Sequence, residues 1–387
     1  MVAKSTGAGI NILQKTLTFV DRDIFPNKVK EGAENLKGYF TGSLANYPEM
    51  DWEDKSSPLD GNAIEPIGTV TADKNRPLIY TKGNSFKLTN VVLKNNSSTS
   101  FNTSTDTISV TSSNGKLNVN NIPFSISGNE IEISTPIVGS TLDKIGAENV
   151  ALTWTIKKGN TSIPAGTTDH LVYTVGAAPS GRLFHTLVDI GTRAAAGRDS
   201  ANDIFNGIWG KFTTLSLNRI DGEGPLKYYG EGWDTPGYQV TDYILFAQDG
   251  QCGAWANFLI DTLDIQDIDA SVLWLKPKKD RFTTHNGHID YAVGFVQREQ
   301  NVQGGSINLE DGARAFGWHA IVKYNDKYYD PSTGVGHVTI IDYVKDHLKI
   351  FWLCDINGNG IDISDSGHYA DANFITDNNF DDYFKLE

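Results

Sequence analysis

The stretch Gly250-Gln251-Cys252-Gly253-Ala254-Trp255-Ala256 puts one of only two cysteines in the chain where a helix should begin. After Cys252, the residues Trp255, Phe258, Leu259, Thr262 and Leu263 recur at intervals of three and four, while Asp261 and Asp264 fall elsewhere on the wheel. That spacing predicts a helix that buries one face and starts at or near the cysteine. Unpaired backbone N–H groups and the positive end of the helix dipole favour a thiolate in its first turn. Gly253 and Ala254 leave little bulk beside the sulfur, so a substrate backbone has room to approach.

A thiol is a poor nucleophile at neutral pH and needs a base. Gly317-Trp318-His319-Ala320-Ile321-Val322 and Tyr328-Tyr329-Asp330-Pro331-Ser332 supply an imidazole and a carboxylate downstream. Ala320 to Tyr324 is rich in β-formers, Asn325-Asp326 is a turn pair, and Lys327 to Asp330 reads as the returning strand. With a two-residue loop Tyr324 faces Lys327, and Asp330 then stands opposite Ile321. His319 shares a face with Ile321, which makes Asp330 its diagonal neighbour at about 7–8 Å between backbones. A three-residue loop would put the two side chains on opposite faces. In the first register the carboxylate can set the imidazole tautomer and stabilise the imidazolium.

Taken in this order, Gly-Gln-Cys-Gly-Ala-Trp-Ala, Trp-His-Ala-Ile-Val-Lys-Tyr and Tyr-Tyr-Asp-Pro-Ser resemble the core of the transglutaminase-like superfamily, within the papain-like cysteine enzymes. The resemblance covers roughly residues 180 to 350. It implies Cys252 as nucleophile, His319 as general base and acid, and Asp330 as the orienting carboxylate. It also implies an α+β core with an antiparallel sheet, acting on protein or peptide amide bonds through an acyl-thioester. Animal transglutaminases carry an oxyanion-stabilising Trp about three dozen residues before the cysteine. No Trp has that spacing here; Trp209 and Trp233 bracket it, and Gln248 or Gln251 are the candidate replacements. Hydrolysis, deamidation and transamidation all fit. The competing expectation is a non-catalytic structural or adaptor protein that keeps the fold: an exposed, ionised Cys252 favours the enzyme, and a buried one with His319 turned away favours the adaptor.

Other readings of the same residue types carry less. Cys354, in Ile350-Phe351-Trp352-Leu353-Cys354, reads as a small core residue. His285 and His288 would bind zinc only with Cys252 or His337, and no second pair has ligand spacing. A net charge of −14 argues against a nucleic-acid partner, because a phosphate backbone demands a basic surface. Two cysteines cannot build a disulfide framework. The first residues lack the apolar stretch of a signal peptide, and no run is long enough to span a membrane. The expected location is cytoplasmic, or outside by a route that reads no classical signal. The oligomeric state is not legible.

The texture of the 387 residues changes twice. Residues 1–65 are mixed, with a strand expected at Ile10 to Phe19 and a helix around Asn27 to Tyr39. Residues 66–178 are short alternating segments between Asn-, Ser- and Gly-rich turns, the pattern of an all-β, immunoglobulin-like sandwich. Residues 179–387 hold the proposed core, with strands expected around Ala292 to Arg298, Trp318 to Tyr324, Lys327 to Asp330 and Leu348 to Leu353, and an acidic extension. Phe374, Phe380, Tyr383 and Phe384 lie among the acids of that tail, which is therefore expected to dock.

No cofactor is required by this chemistry, but calcium is a candidate ligand of the C-terminal region. Asp355, Asn357, Asn359 and Gly360 match the opening of an EF-hand-type loop, where Ile361 would offer its carbonyl. Ser366 stands where the bidentate Glu belongs, and Asp365 is its candidate substitute; the alternative is a plain Asn-Gly turn. Calcium bound there raises the melting temperature by linkage, and Asp355→Ala removes the response. Thermal denaturation with calcium and with chelator decides; identical curves leave the turn.

Overall fold

The computed structural model describes residues 12–19, 51–53, 78–95, 99–128, 130–177, 185–219, 225–228, 241, 244–245, 248–278, 282–285, 288–297, 301–306, 315–355, 367–371, 375–378 and 380–387. The helix expected around Asn27 to Tyr39 lies outside them. The fold is mixed α/β, and it packs as two units: Met1–Ile204 with Ile265–Asp267, and Phe205–Asp264 with Ile268–Glu387. No helix among the described residues is long and apolar enough to cross a membrane.

The first unit is built on β1 (Leu78–Thr81), β2 (Ser85–Asn95), β3 (Thr107–Ser112), β4 (Glu130–Ile133), β5 (Ile137–Thr141), β6 (Gly146–Lys158) and β7 (Thr161–Val175). β2 pairs antiparallel with Ile12–Phe19 on one side. On its other side it takes two partners in succession, β5 along Ser85 to Leu88 and β4 along Val91 to Lys94. Ser85–Asn95 is thus one continuous strand with two successive neighbours along that edge. In the second sheet β6 and β7 form a long hairpin from Gly146↔Thr174 to Lys158↔Thr161, flanked by β3 and by β1, the latter parallel to β7.

Both sheets bury one common cluster, with Phe86, Leu88 and Ile131 from the first and Ile108, Leu152 and Trp154 from the second. Burial alternates residue by residue along β3 and β4, as period-two side chains on a half-buried sheet require. Each such side chain contributes about 1.5–3 kcal/mol when fully buried. Helix α1 (His185–Ala195) packs on β6 and β7, where the Tyr173 hydroxyl donates to Asp189 at 2.6 Å. Gln266 ties residues 265–267 to this unit: its Oε1 accepts from Gly176 N at 2.8 Å and its Nε2 donates to Thr192 Oγ1 at 3.3 Å.

The second unit holds the residues singled out by the sequence. Its elements are α2 (Ala201–Phe212, of which Phe205 onward belongs here), β8 (Lys227–Tyr228), β9 (Asp249–Gly250), α3 (Cys252–Asp264), β10 (Ser271–Pro277), β11 (His288–Gln297), β12 (His319–Tyr324), β13 (Lys327–Asp330), β14 (Val335–His337), α4 (Ile340–His347), β15 (Leu348–Asp355) and β16 (Phe384–Leu386). An antiparallel sheet runs β14-β13-β12-β10-β16. β12 presents Tyr324 to Phe205 of α2, with stacked rings 4.0 Å apart, and Tyr329 of β13 meets the edge of Trp209 at 5.0 Å. On the opposite face Leu275 and Ile321 join Tyr343 and Val344 of α4 in a second apolar cluster. Phe380 and Phe384 complete that cluster, so the acidic tail docks as expected and adds β16 as an edge strand.

The strands expected in one antiparallel sheet divide between two. β11 and β15 pair with each other in a separate sheet, to which Ala315–Phe316 also belongs. Phe316 pairs with Phe295 of β11, whereas His319 pairs with Leu275 of β10. The chain therefore changes sheets across Gly317-Trp318, and His319 opens its strand at that switch.

The loop after β13 depends on Gly334, which has φ +68° and donates its N–H to Asp330 O at 2.8 Å. A Cβ there would lie 3.0 Å from Leu215 Cδ2 and from Thr213 Cα, and 3.1 Å from Phe212 O. The left-handed backbone alone penalises alanine by about 1–2 kcal/mol. Gly334→Ala is accordingly expected to lower stability by at least that much, measured by urea denaturation; an unchanged midpoint would mean that the loop relaxes freely.

Candidate active site

Cys252 is the first residue of α3 and carries a free thiol. The helix closes its first turn on Gln251, whose carbonyl accepts from Trp255 N at 3.1 Å. Trp255, Phe258, Leu259, Thr262 and Leu263 are all buried, so the recurrence read in the sequence is the packed face. Phe212 of α2 meets Trp255 and Phe258 with ring centroids 6.3 and 5.8 Å apart. Two residues upstream, Gly250 is hemmed in: a Cβ would stand 2.9 Å from Ala254 Cβ and 3.2 Å from Ile244 Cβ. Gly250 pairs with Tyr228 in the short parallel ladder of β8 and β9.

The β12–β13 hairpin adopts the two-residue register. Tyr324 faces Lys327 and Val322 faces Tyr329, which carries Asp330 opposite Ile321. Asn325 and Asp326 both take left-handed backbone, with φ 46° and 56°, the conformation of a type I′ turn. Both short polar residues tolerate it. His319 and Asp330 consequently project to one face, and Nε2 of the imidazole lies 3.0 Å from Asp330 Oδ2. The Cys252 sulfur acts electrostatically on the same imidazole.

Asp330 is fully buried, and its carboxylate is held from three directions. Oδ2 accepts from His319 and from the Tyr343 hydroxyl at 2.8 Å, and Oδ1 accepts from Ser332 N at 2.9 Å. The turn carrying Ser332 is strapped by Gln303, which donates its backbone N–H to Ser332 O at 2.9 Å and its Nε2 to Pro331 O at 2.9 Å and Phe212 O at 2.7 Å. The sequence reading missed both Tyr343 and Gln303. The spacing of Ile340, Tyr343 and Val344 signals an apolar helix face, but nothing in it tells a packing tyrosine from one whose hydroxyl finds a carboxylate.

The electrostatics follow from this geometry. Burial by itself would drive His319 toward the neutral imidazole, but the Asp330 carboxylate and then the Cys252 sulfur outweigh it and push the group up to about 10. Burial by itself would favour protonated Asp330 as well. The charge of His319 and the hydrogen bonds from His319, Tyr343 and Ser332 overcome it and hold the carboxyl below its ordinary range. Burial, then the neighbouring carboxylate, raises Tyr343 well above an ordinary phenol, so it stays a donor.

The remaining candidates separate. Gln248 has φ 59°, and its Nε2 is buried and makes no hydrogen bond among the described residues, although its carbonyl accepts from Lys227 N at 2.8 Å. Gln251 is half-buried. Trp209 is engaged with Phe212 and Tyr329, and Trp233 lies outside the described residues. The backbone of Asp355 ends β15, while its side chain and Asn357, Asn359, Ile361 and Asp365 lie outside them too. Among the described residues no cluster of three or more His, Cys, Asp and Glu could hold a metal. His337 instead faces His347, with Nε2 atoms 2.5 Å apart.

No protein-family model matches the chain, and neither does any curated protein. Among solved structures it is similar to the crystal structure of red sea bream transglutaminase, at 11% identity and a TM-score of 0.29. The match covers 72% of this chain and 49% of that one, so the chain spans about half the length of the fish protein.

A histidine titrating near 6.5 unfolded and near 10 folded stabilises the protein fully below about pH 6.5, and that contribution disappears as pH rises through about 10. The His319 imidazole resonance, followed by NMR, is therefore expected to titrate near 10. Asp330→Asn should lower that value more than Cys252→Ala does, in the order of the two causes. Titration near 6.5 in the folded protein would break up the pair.

Proposed function

We propose that the chain is a transglutaminase-like cysteine enzyme acting on protein or peptide amide bonds through an acyl-thioester, preceded by an immunoglobulin-like sandwich. The observation that carries this reading is a single imidazole that is hydrogen-bonded to the Asp330 carboxylate at 3.0 Å and interacts electrostatically with a sulfur at a helix N-terminus. With the thiol proton taken by His319, the sulfur attacks the amide carbonyl, and the carbonyl's electron pair moves to oxygen. Backbone N–H groups of the first turn of α3 donate to that oxyanion, with Gln248 or Gln251 as the second donor. The imidazolium of His319 then protonates the departing nitrogen as the C–N bond breaks, leaving the acyl group on Cys252. His319 next takes a proton from the acceptor that attacks the thioester. Water completes hydrolysis of a peptide bond or deamidation of a side-chain amide; a primary amine completes transamidation.

One observation favours the adaptor reading. Cys252 is 2% exposed, and His319 and Asp330 are fully buried, so the site is closed in this conformation. Against it, His319 and the sulfur interact electrostatically, and a core without chemistry gains little from a buried charged pair. Calcium at the loop that opens with Asp355 remains a proposal independent of this site.

Assays need no natural substrate: ammonia release from glutamine-containing peptides and cleavage of a casein-like protein, each with and without a primary amine. Cys252→Ala and His319→Ala are expected to abolish activity, and combining them should add little, because members of one unit are non-additive. Asp330→Asn, folded, is expected to lose about 10⁴-fold by analogy with other triads. Full activity in Cys252→Ala would overturn the mechanism; full activity in Asp330→Asn would remove the carboxylate from it.

A further inference from the structure

Tyr343 projects from α4, an eight-residue helix whose first turn is capped by Thr339, its Oγ1 accepting from Asp342 N at 3.1 Å. The helix lies against β13, β14 and β15. Its phenol is fully buried, and its ring is nearly parallel to the His319 imidazole, with centroids 6.2 Å apart and planes 10° from parallel. Its hydroxyl donates to Oδ2 of Asp330, the same oxygen that holds the imidazole. Around it lie His347 at the end of α4 and His337 on β14, with ring centroids at 5.5 and 6.3 Å, and Tyr228 and Cys252 interact with it electrostatically.

From this geometry we infer that Tyr343 is a positioning residue of the Cys252–His319–Asp330 site, fixing the carboxylate rotamer and setting how strongly Oδ2 holds the imidazolium. The inference rests on the cysteine-enzyme reading for its kinetic consequence, but not for its electrostatic one. Two donors on one oxygen share its negative charge, so each weakens the other's hydrogen bond. With the phenol donor present, Asp330 is a weaker base and the imidazolium gives up its proton more readily to a departing amine. Without it the carboxylate is freer to rotate about its side chain, and the charge on Oδ2 falls on the imidazolium alone. Both changes slow the step in which His319 acts as acid, and neither touches substrate binding.

The test is Tyr343→Phe in the full chain, which keeps the buried ring and removes one oxygen. The expected result is a His319 NMR titration shifted to higher pH, together with kcat about tenfold lower at unchanged KM, the loss of one modest hydrogen bond in the transition state. Replacing Tyr343 with 3,5-difluorotyrosine, a stronger donor, is expected to move the His319 titration the other way. A purely structural tyrosine would instead lower the melting temperature and leave the titration where it was, and that outcome overturns the inference. If the wild-type protein shows no activity on any amide substrate while the two variants still shift His319 in opposite directions, the cysteine-enzyme reading fails and the positioning role stands. If activity is present and neither variant moves the titration or kcat, the positioning role fails alone.

Discussion

A carboxylate removed from water sets the terms for the second unit. Asp330 is fully buried, and an ionised group in that position is tolerated only when its lone pairs are met by strong donors. Three elements are needed to meet them: His319 from the start of β12, Tyr343 from α4, and the backbone of Ser332 from the turn that follows β13. Each of those is itself held. His319 stands in ladder with Leu275, α4 is packed through Tyr343 and Val344 onto Ile321 and Leu275, and the Ser332 turn is fastened by Gln303 and by the tight approach of Gly334 to Phe212 and Thr213. Removing any one donor leaves the buried charge less well met, which couples the site to the packing around it.

The sulfur reaches this arrangement by a different route. Its helix is driven onto β12 and β10 by an apolar face, and the aromatic contacts of Phe212 with Trp255 and Phe258 fix its position relative to α2. Gly250 lets the chain pass close to Ala254 and Ile244 just before the helix begins. The outcome is a helix N-terminus delivered to the end of the sheet where β12 starts, beside the point at which the chain changes sheets across Gly317-Trp318. His319 occupies the first position of that strand. The same closeness makes the site inaccessible in this conformation, since Cys252 is buried along with its partners.

The sequence by itself determined those features that depend on a few neighbouring residues. The start of α3 at Cys252 follows from the spacing of Trp255, Phe258, Leu259, Thr262 and Leu263, and the hairpin register follows from Asn325 and Asp326, which accept left-handed backbone at both central positions. The period of two in β3 and β4 is equally local. The tail could be expected to dock because its aromatic residues have nowhere else to leave water. Only the tertiary structure decided which strands share a sheet, that Ser85–Asn95 is one strand with two successive partners, and that residues 265–267 pack with the first unit. It alone brought Tyr343 to Asp330, thirteen positions away in the chain, and folded Cys252 out of solvent. Periodicity and turn chemistry act over one or two turns of backbone, whereas burial and the pairing of distant polar groups are settled by how whole elements pack, and an apolar helix face looks the same in sequence whether its tyrosine fills space or holds a carboxylate.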